Sequence, residues 1–148
     1  MALDYEAIGA AIAARFATAA TPSGEDALAL ATDDLPDQIG ATPALLVFPP
    51  EEDLDWGPGL TRHSVQRWPV RFFRTQGSSW SVRVTGISRW RKALLDTVVG
   101  NIGLGLAYVD WAQVSSVKFV EATYAEIVYD ALEFIVTVKT REQVAASA

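Results

Sequence analysis

Apolar residues recur at spacings of three and four near the start of the chain. Tyr5, Ile8, Ile12 and Phe16 form one stripe between Leu3 and about Ala20, and alanine fills the turns between them. That period predicts a helix, and the alanines raise its propensity. The string TPSG at 21–24 stops it. Residues 25–43 lose the period. They are acidic and broken by Pro36, Gly40 and Pro43, and they predict a loop with at most a helical turn at ALALAT. Ala44–Phe48 is a short apolar run bounded by prolines, the pattern of a buried strand.

PPEEDLDWGPG, at 49–59, predicts a polar, turn-rich connection holding one large aromatic, Trp56. From Thr61 to Thr75 the chain alternates. Trp68, Val70 and Phe72 point one way, and Arg67, Pro69, Arg71 and Phe73 point the other. Pro69 has no N–H for a ladder, so this strand is expected at an edge or to carry a bulge. A second helix is expected to start between 80 and 88 and run to Val99, with Ile87, Trp90, Leu94 and Val98 as its apolar stripe. Gly100 and Asn101 suit its C-terminal cap. Two further strands follow, Val114–Ala122 and Glu126–Thr140. The second sets Leu132, Phe134, Val136 and Val138 on one face and Glu133, Thr137 and Lys139 on the other. The expectation is an α+β fold, a mostly antiparallel sheet of about four strands with two helices packed on one face. It forms a single domain over 1–148, with 21–43 and 49–60 as long acidic loops and 141–148 as a flexible tail. Its length of 148 residues is enough to bury about two thirds of the unfolded surface.

Charge changes this picture because it is sorted by position. Residues 1–55 carry eleven acids and one base, Arg15. Residues 56–95 carry eight bases (Arg62, Arg67, Arg71, Arg74, Arg83, Arg89, Arg91 and Lys92) and no acid. Residues 96–148 carry seven acids and three bases, and the net charge is −6. Three readings of the basic block stay open. The acidic segments neutralise it within one chain. Alternatively, it meets the acidic loops of a neighbouring copy, and such head-to-tail contacts close a ring. The third reading is nucleic-acid binding, which the net charge and the lack of an aromatic-basic platform oppose.

Candidate chemistry is sparse. There is no cysteine, which excludes disulfides and thiolate sites. His63 is the sole histidine and lies beside Arg62, so neither a metal set nor a catalytic base is expected from it. Gly100, Gly103 and Gly105 follow a helix instead of opening one, unlike a phosphate loop. Asp33-Asp34 and the cluster Glu51, Glu52, Asp53 and Asp55 could bind calcium, but the second lacks the alternating ligands and central glycine of a calcium loop, and solvated loop charge or a surface for a basic partner is the better reading. No cofactor, metal or enzymatic activity is expected. Trp68, Trp90 and Trp80 fit the core pattern, but Trp56 sits among four acids, where it is either an interface anchor or a plug packed into its loop. Asp4 and Glu6 stand where a signal peptide needs bases, and no apolar run approaches the ~20 residues of a membrane span, so a soluble chain is expected.

The order of elements adds a resemblance. A short N-terminal helix precedes an apolar strand ending in prolines (ALLVFPP), then a Trp-Pro strand with basic alternation (RWPVRFFR). A central helix with a Leu-Leu pair (RWRKALLDTVVG) and a last strand (YDALEFIVTVK) complete it. From about residue 3 to 140 this resembles the tail terminator, or tail-completion, proteins of long-tailed bacteriophages and phage-like particles. The resemblance implies a ring, usually of six subunits, with the sheet facing the channel and the helices outside. It implies a place in the virion at the neck, capping the tail tube and stopping its growth. The partners implied are the chain itself, the tail tube protein and a head-completion or other neck protein. DNA would pass through the channel without specific binding, and no membrane is involved. Another neck or adaptor ring protein is the alternative, and a small host ligand-binding module a third. The interface elements implied are the 49–60 loop, the Trp68–Arg74 strand and the last strand. Trp56, Arg62, Arg67, Arg71, Arg74, Glu51, Glu52, Asp53 and Asp55 are the candidate interface residues. The long acidic 21–43 segment departs from many members of that family.

Overall fold

A computed structural model of the chain describes residues 4–57, 59, 61–100 and 102–143. Helix α1 spans Tyr5–Ala17, and the Asp4 side chain caps it by accepting from the Ala7 N–H at 3.3 Å. The cap satisfies one of the amides that a helix start leaves without a partner. Its predicted stripe is buried at Ile8, Ile12 and Phe16. Helix α2 spans Trp80–Thr97 behind a Ser79 cap, and buries Ile87, Trp90 and Leu94. Val98, just past its end, is buried as well. Gly100 follows with φ +69°, a left-handed conformation that suits glycine after a helix. Leu3 and Asn101 lie outside the described residues.

Six strands form one sheet: β1 (Leu30–Thr32), β2 (Ala44–Val47), β3 (Glu51–Trp56), β4 (Thr61–Arg74), β5 (Val109–Tyr124) and β6 (Ile127–Gln143). Their order is β1-β2-β4-β6-β5, with β3 also paired to β4. Only β1–β2 is parallel. The fold is therefore α+β with two helices and a mostly antiparallel sheet, carrying two strands more than the four expected. Both extra strands lie in acidic stretches that propensity assigns to loops. ALALAT contributes β1 instead of a helical turn, and EEDLDW forms β3 because β4 offers it an arginine-bearing edge. Tertiary pairing outweighs local preference here. β6 continues to Gln143, past the expected start of the tail, and residues 144–148 lie outside the described residues.

β4 is not an edge strand. It pairs with β6 along all 14 residues, while its other side meets β3 at Arg62–Arg67 and β2 at Val70–Phe73. Pro69 falls in the gap between those two neighbours, and its carbonyl accepts the Phe48 N–H at 2.8 Å. The proline is thus placed where β4 has no β2 or β3 partner.

The alternation sorts the sheet into two faces. Trp68, Val70 and Phe72 of β4, and Leu132, Phe134, Val136 and Val138 of β6, join the buried residues of both helices in one core. Phe16 lies 5.4 Å from Phe134, and Trp90 lies 4.9 Å from Phe72. On the other face a smaller cluster of Ile39, Ala44, Leu46, Phe73, Ala122, Tyr129 and Ala131 covers one end. The Tyr124 hydroxyl ties the covering segment down by donating to the Pro36 carbonyl. The rest of this face carries no helix.

The β5–β6 hairpin turns through Ala125 and Glu126, with φ of 48° and 69°. Two positive φ values match the twist of a two-residue hairpin, but Asn-Gly is the sequence that adopts them readily. L-residues with a Cβ pay roughly 1–2 kcal/mol each in this region. Ala125→Asn with Glu126→Gly is therefore expected to stabilise the fold by about 1 kcal/mol or more, read as a higher urea midpoint at unchanged slope.

Candidate functional site

The nine candidate interface residues do not form one surface. Glu51, Glu52, Asp53, Asp55 and Trp56 lie on β3, paired in register with Arg67, Gln66, Val65, His63 and Arg62. Residues opposite each other share a face. Glu51, Asp53 and Asp55 therefore lie on the open face with Arg67, and Glu52, Leu54 and Trp56 lie on the helix-bearing face. Arg71 is further along β4 on the open face. Arg74 ends β4, where its Nε donates to Glu25 at 2.7 Å.

The basic block is largely neutralised within the chain. Arg67 donates to Asp53 at 2.9 Å and approaches Glu51 at 4.0 Å. Arg71 binds Glu133 at 2.7 Å and stacks over the Phe48 ring at 5.7 Å. Arg62 pairs with Glu142 and lies 5.8 Å from the Trp56 ring. Arg83 forks onto the fully buried Asp130 through Nε and Nη2, and also reaches Glu121 at 2.8 Å. Lys92 holds Asp96 one helical turn away. Arg89 donates to the Ser23 carbonyl instead of an acid. Hydrogen bonds donated to Asp53 hold the Arg67 guanidinium above its ordinary value, and those donated to Asp130 and Glu121 do the same for Arg83.

β3 is fixed by more than its ladder. Glu52 accepts the Tyr5 hydroxyl at 2.5 Å and the Gln66 amide at 3.0 Å. Gln66, fully buried, also accepts the Trp68 indole N–H at 2.8 Å and lies 3.3 Å from the Ser64 hydroxyl. Ser64 in turn bonds Thr140 of β6 at 2.5 Å. Burial, and then the bond to Glu52, push the Tyr5 phenol up to about 12. It stays protonated and keeps donating through the physiological range. A network with every member partnered rigidifies what it joins, here α1, β3, β4 and β6.

Trp56 is 58% exposed and Leu54, two residues before it, 55% exposed. Trp68 and Trp90 are buried as their pattern implies, but Trp80, expected in the core, is 63% exposed. It begins α2 beside β5, with its ring 5.9 Å from Phe119 and Arg83 5.3 Å above it. Position in the first turn puts Trp80 at the sheet margin, beyond the stripe that Ile87, Trp90 and Leu94 set. The pairing acids Glu25, Asp130, Glu133 and Glu142 were not singled out from sequence. Only the strand register brings them to their arginines, so local spacing carries no signal for them.

His63 is exposed and lines a cleft of about 350 Å³ with Asp53, Asp55, Asp110 and Lys139. Among the described residues no group of three or more His, Asp or Glu could hold a metal ion. No helix among them is long and apolar enough to cross a membrane. No protein-family model matches the chain, and no curated protein matches it.

Glu133 is the acid most enclosed by the open face's cations. Burial pushes its carboxyl up, but Arg71 and then Lys118 outweigh that and hold it below its ordinary value of 4.5. A depressed folded-state value contributes stability above pH 4.5 that is lost as pH falls through the lower folded value. Glu133→Gln should therefore cost about 1 kcal/mol at pH 7. Denaturation at a series of pH values should show the gap between the two chains closing as the wild-type carboxylate protonates.

Proposed function

We propose that this chain is a ring-forming structural subunit of the tail-terminator type, which caps a phage tail tube, stops its polymerisation and joins it to the neck. The observation that carries the reading is the one-sided sheet. Both helices bury against one face, and most of the other face is bare. A ring with helices outside and sheet toward a channel needs a subunit of that shape. The order of elements also follows the resemblance, from α1 through the FPP strand end and the Trp-Pro strand to α2 and the last strand.

The charge arrangement suits a channel through which DNA slides. Phosphate binding gains from cations that release counterions. Arg67 and Arg71 on the open face are already paired with Asp53 and Glu133, so phosphate would have to displace a carboxylate. The same pairing bears on the ring. These arginines are satisfied within one subunit, and contacts between copies fall to other surfaces.

Purified chain mixed with assembling tail tube protein provides the test. Native mass spectrometry is expected to show a closed ring, and electron microscopy tubes that stop growing with that ring at one end. A monomer that leaves tube growth unchanged overturns the proposal. Binding to filled heads without any effect on tubes would move the chain to the other neck proteins.

A further inference from the structure

Two of the sheet's three outer strands, β3 and β5, have complementary edges. β3 pairs only with β4, and β5 only with β6, so each has one side without a strand. Residues 114–124 of β5 make no backbone hydrogen bond outside their ladder with β6 among the described residues. That stretch contains no proline and two charged residues, Lys118 and Glu121. Long edges of this kind invite another strand unless something covers them.

We infer that copies of this chain join edge to edge, with β3 of one copy pairing antiparallel to residues 116–121 of β5 in the next. This deepens the ring reading and rests on it. Three features agree. First, direction alternates through β3, β4, β6 and β5, since each adjacent pair is antiparallel. A second copy in the same orientation therefore brings its β3 to β5 antiparallel. Second, the apolar patches lie on the same face. Leu54 and Trp56 project from the helix-bearing face of β3, and Phe119 with the exposed Trp80 flanks β5 on that face. A continuous sheet keeps its faces, so the two patches meet across the seam.

Third, charge is complementary on the open face. β3 presents Asp55 there beyond Glu51 and Asp53, which face Arg67, while β5 between Gln113 and Tyr124 presents Lys118, 66% exposed and 3.4 Å from Glu133, and no acid. The register that sets Leu54 against Phe119 also sets Trp56 against Val117 and Asp55 against Lys118. The same alignment sets Glu52 opposite Glu121 on the helix-bearing face, each already bonded within its own copy, the first to Tyr5 and Gln66 and the second to Arg83. The contact uses two different surfaces, so repetition closes a ring or grows a filament according to the rotation per copy.

The chain has no cysteine, so Leu54→Cys with Phe119→Cys introduces the only thiols. Mild oxidation is expected to give a covalent ladder on a non-reducing gel, ending at the native oligomer size, while either single variant gives none. Asp55→Lys should weaken association about tenfold, and Lys118→Asp in the same chain should restore it. Circular dichroism of each variant checks that the fold is kept. An oligomer of unchanged size that neither cross-links nor responds to Asp55→Lys overturns this seam and leaves the ring reading standing. A native chain that stays monomeric at every concentration overturns both.

Discussion

Strand β4 has one edge held by β6 along its whole length and must divide the other between β2 and β3. Everything else in the molecule is arranged around that division. The chain leaves β2, passes Phe48 and two prolines, and re-enters the sheet as β3 on the same side of β4. Pro69 stands opposite the break, where a missing N–H costs no ladder bond to β2 or β3. The alternation along β4 then decides the faces. Trp68, Val70 and Phe72 go under the helices, and Arg67 and Arg71 go to the open side. A slip of one residue would put arginines in the core, so hydrophobic burial fixes the register and the register fixes the ion pairs.

The block pattern of charge follows from the same topology. The basic block holds the central strand, and the acidic blocks before and after it supply the neighbours on its two sides. Arg67 finds Asp53 and Glu51 on β3, while Arg62 and Arg71 find Glu142 and Glu133 on β6. Arg83 and Arg74 repeat the arrangement from α2 and the end of β4, with Asp130 and Glu25. A sequence with bases in the middle and acids at both ends reads as a chain prepared to attract copies of itself. In a sheet whose middle strand is central in space, most of the basic block also finds its acids within one chain. Of these pairs the exposed one between Arg67 and Asp53 adds little stability, and those on the enclosed Glu25, Asp130 and Glu133 are costly to break. They do oppose slippage, because a shifted register brings like charges together or leaves enclosed ones unpaired.

Elements whose periodicity is strong were legible without coordinates: both helices, β2, β4 and β6, with their buried faces. What escaped were features decided by distant residues. EEDLDW has no strand propensity to speak of and becomes β3 only because β4 lies beside it. Ala125-Glu126 makes a tight hairpin without the glycine or asparagine that announces one. Trp80 is as apolar as Trp90 and occupies the same helix, yet it ends at the sheet margin, 63% exposed against full burial. Helical spacing says which residues share a stripe and not how far along the helix the sheet extends. Of the candidate site, β4's alternating arginines were visible, and their partners were not.

Trp56 is not the buried plug that one reading of an isolated aromatic makes it. As a loop plug it would be buried; it is instead held out on an ordered strand, stacked by Arg62 and flanked by Leu54. The strand that presents it is short and acidic and would be marginal alone. Tyr5, Glu52, Gln66 and Trp68 prevent its fraying by tying it to α1 and the sheet interior. Such a strand loses little conformational freedom when it meets a partner, since its ordering entropy was spent during folding. The polar network, which runs from the surface at Tyr5 to the buried Gln66, and the exposed aromatic are thus two halves of one device. The first keeps β3 in place against its own charge, and the second gives that rigid edge an apolar surface to offer.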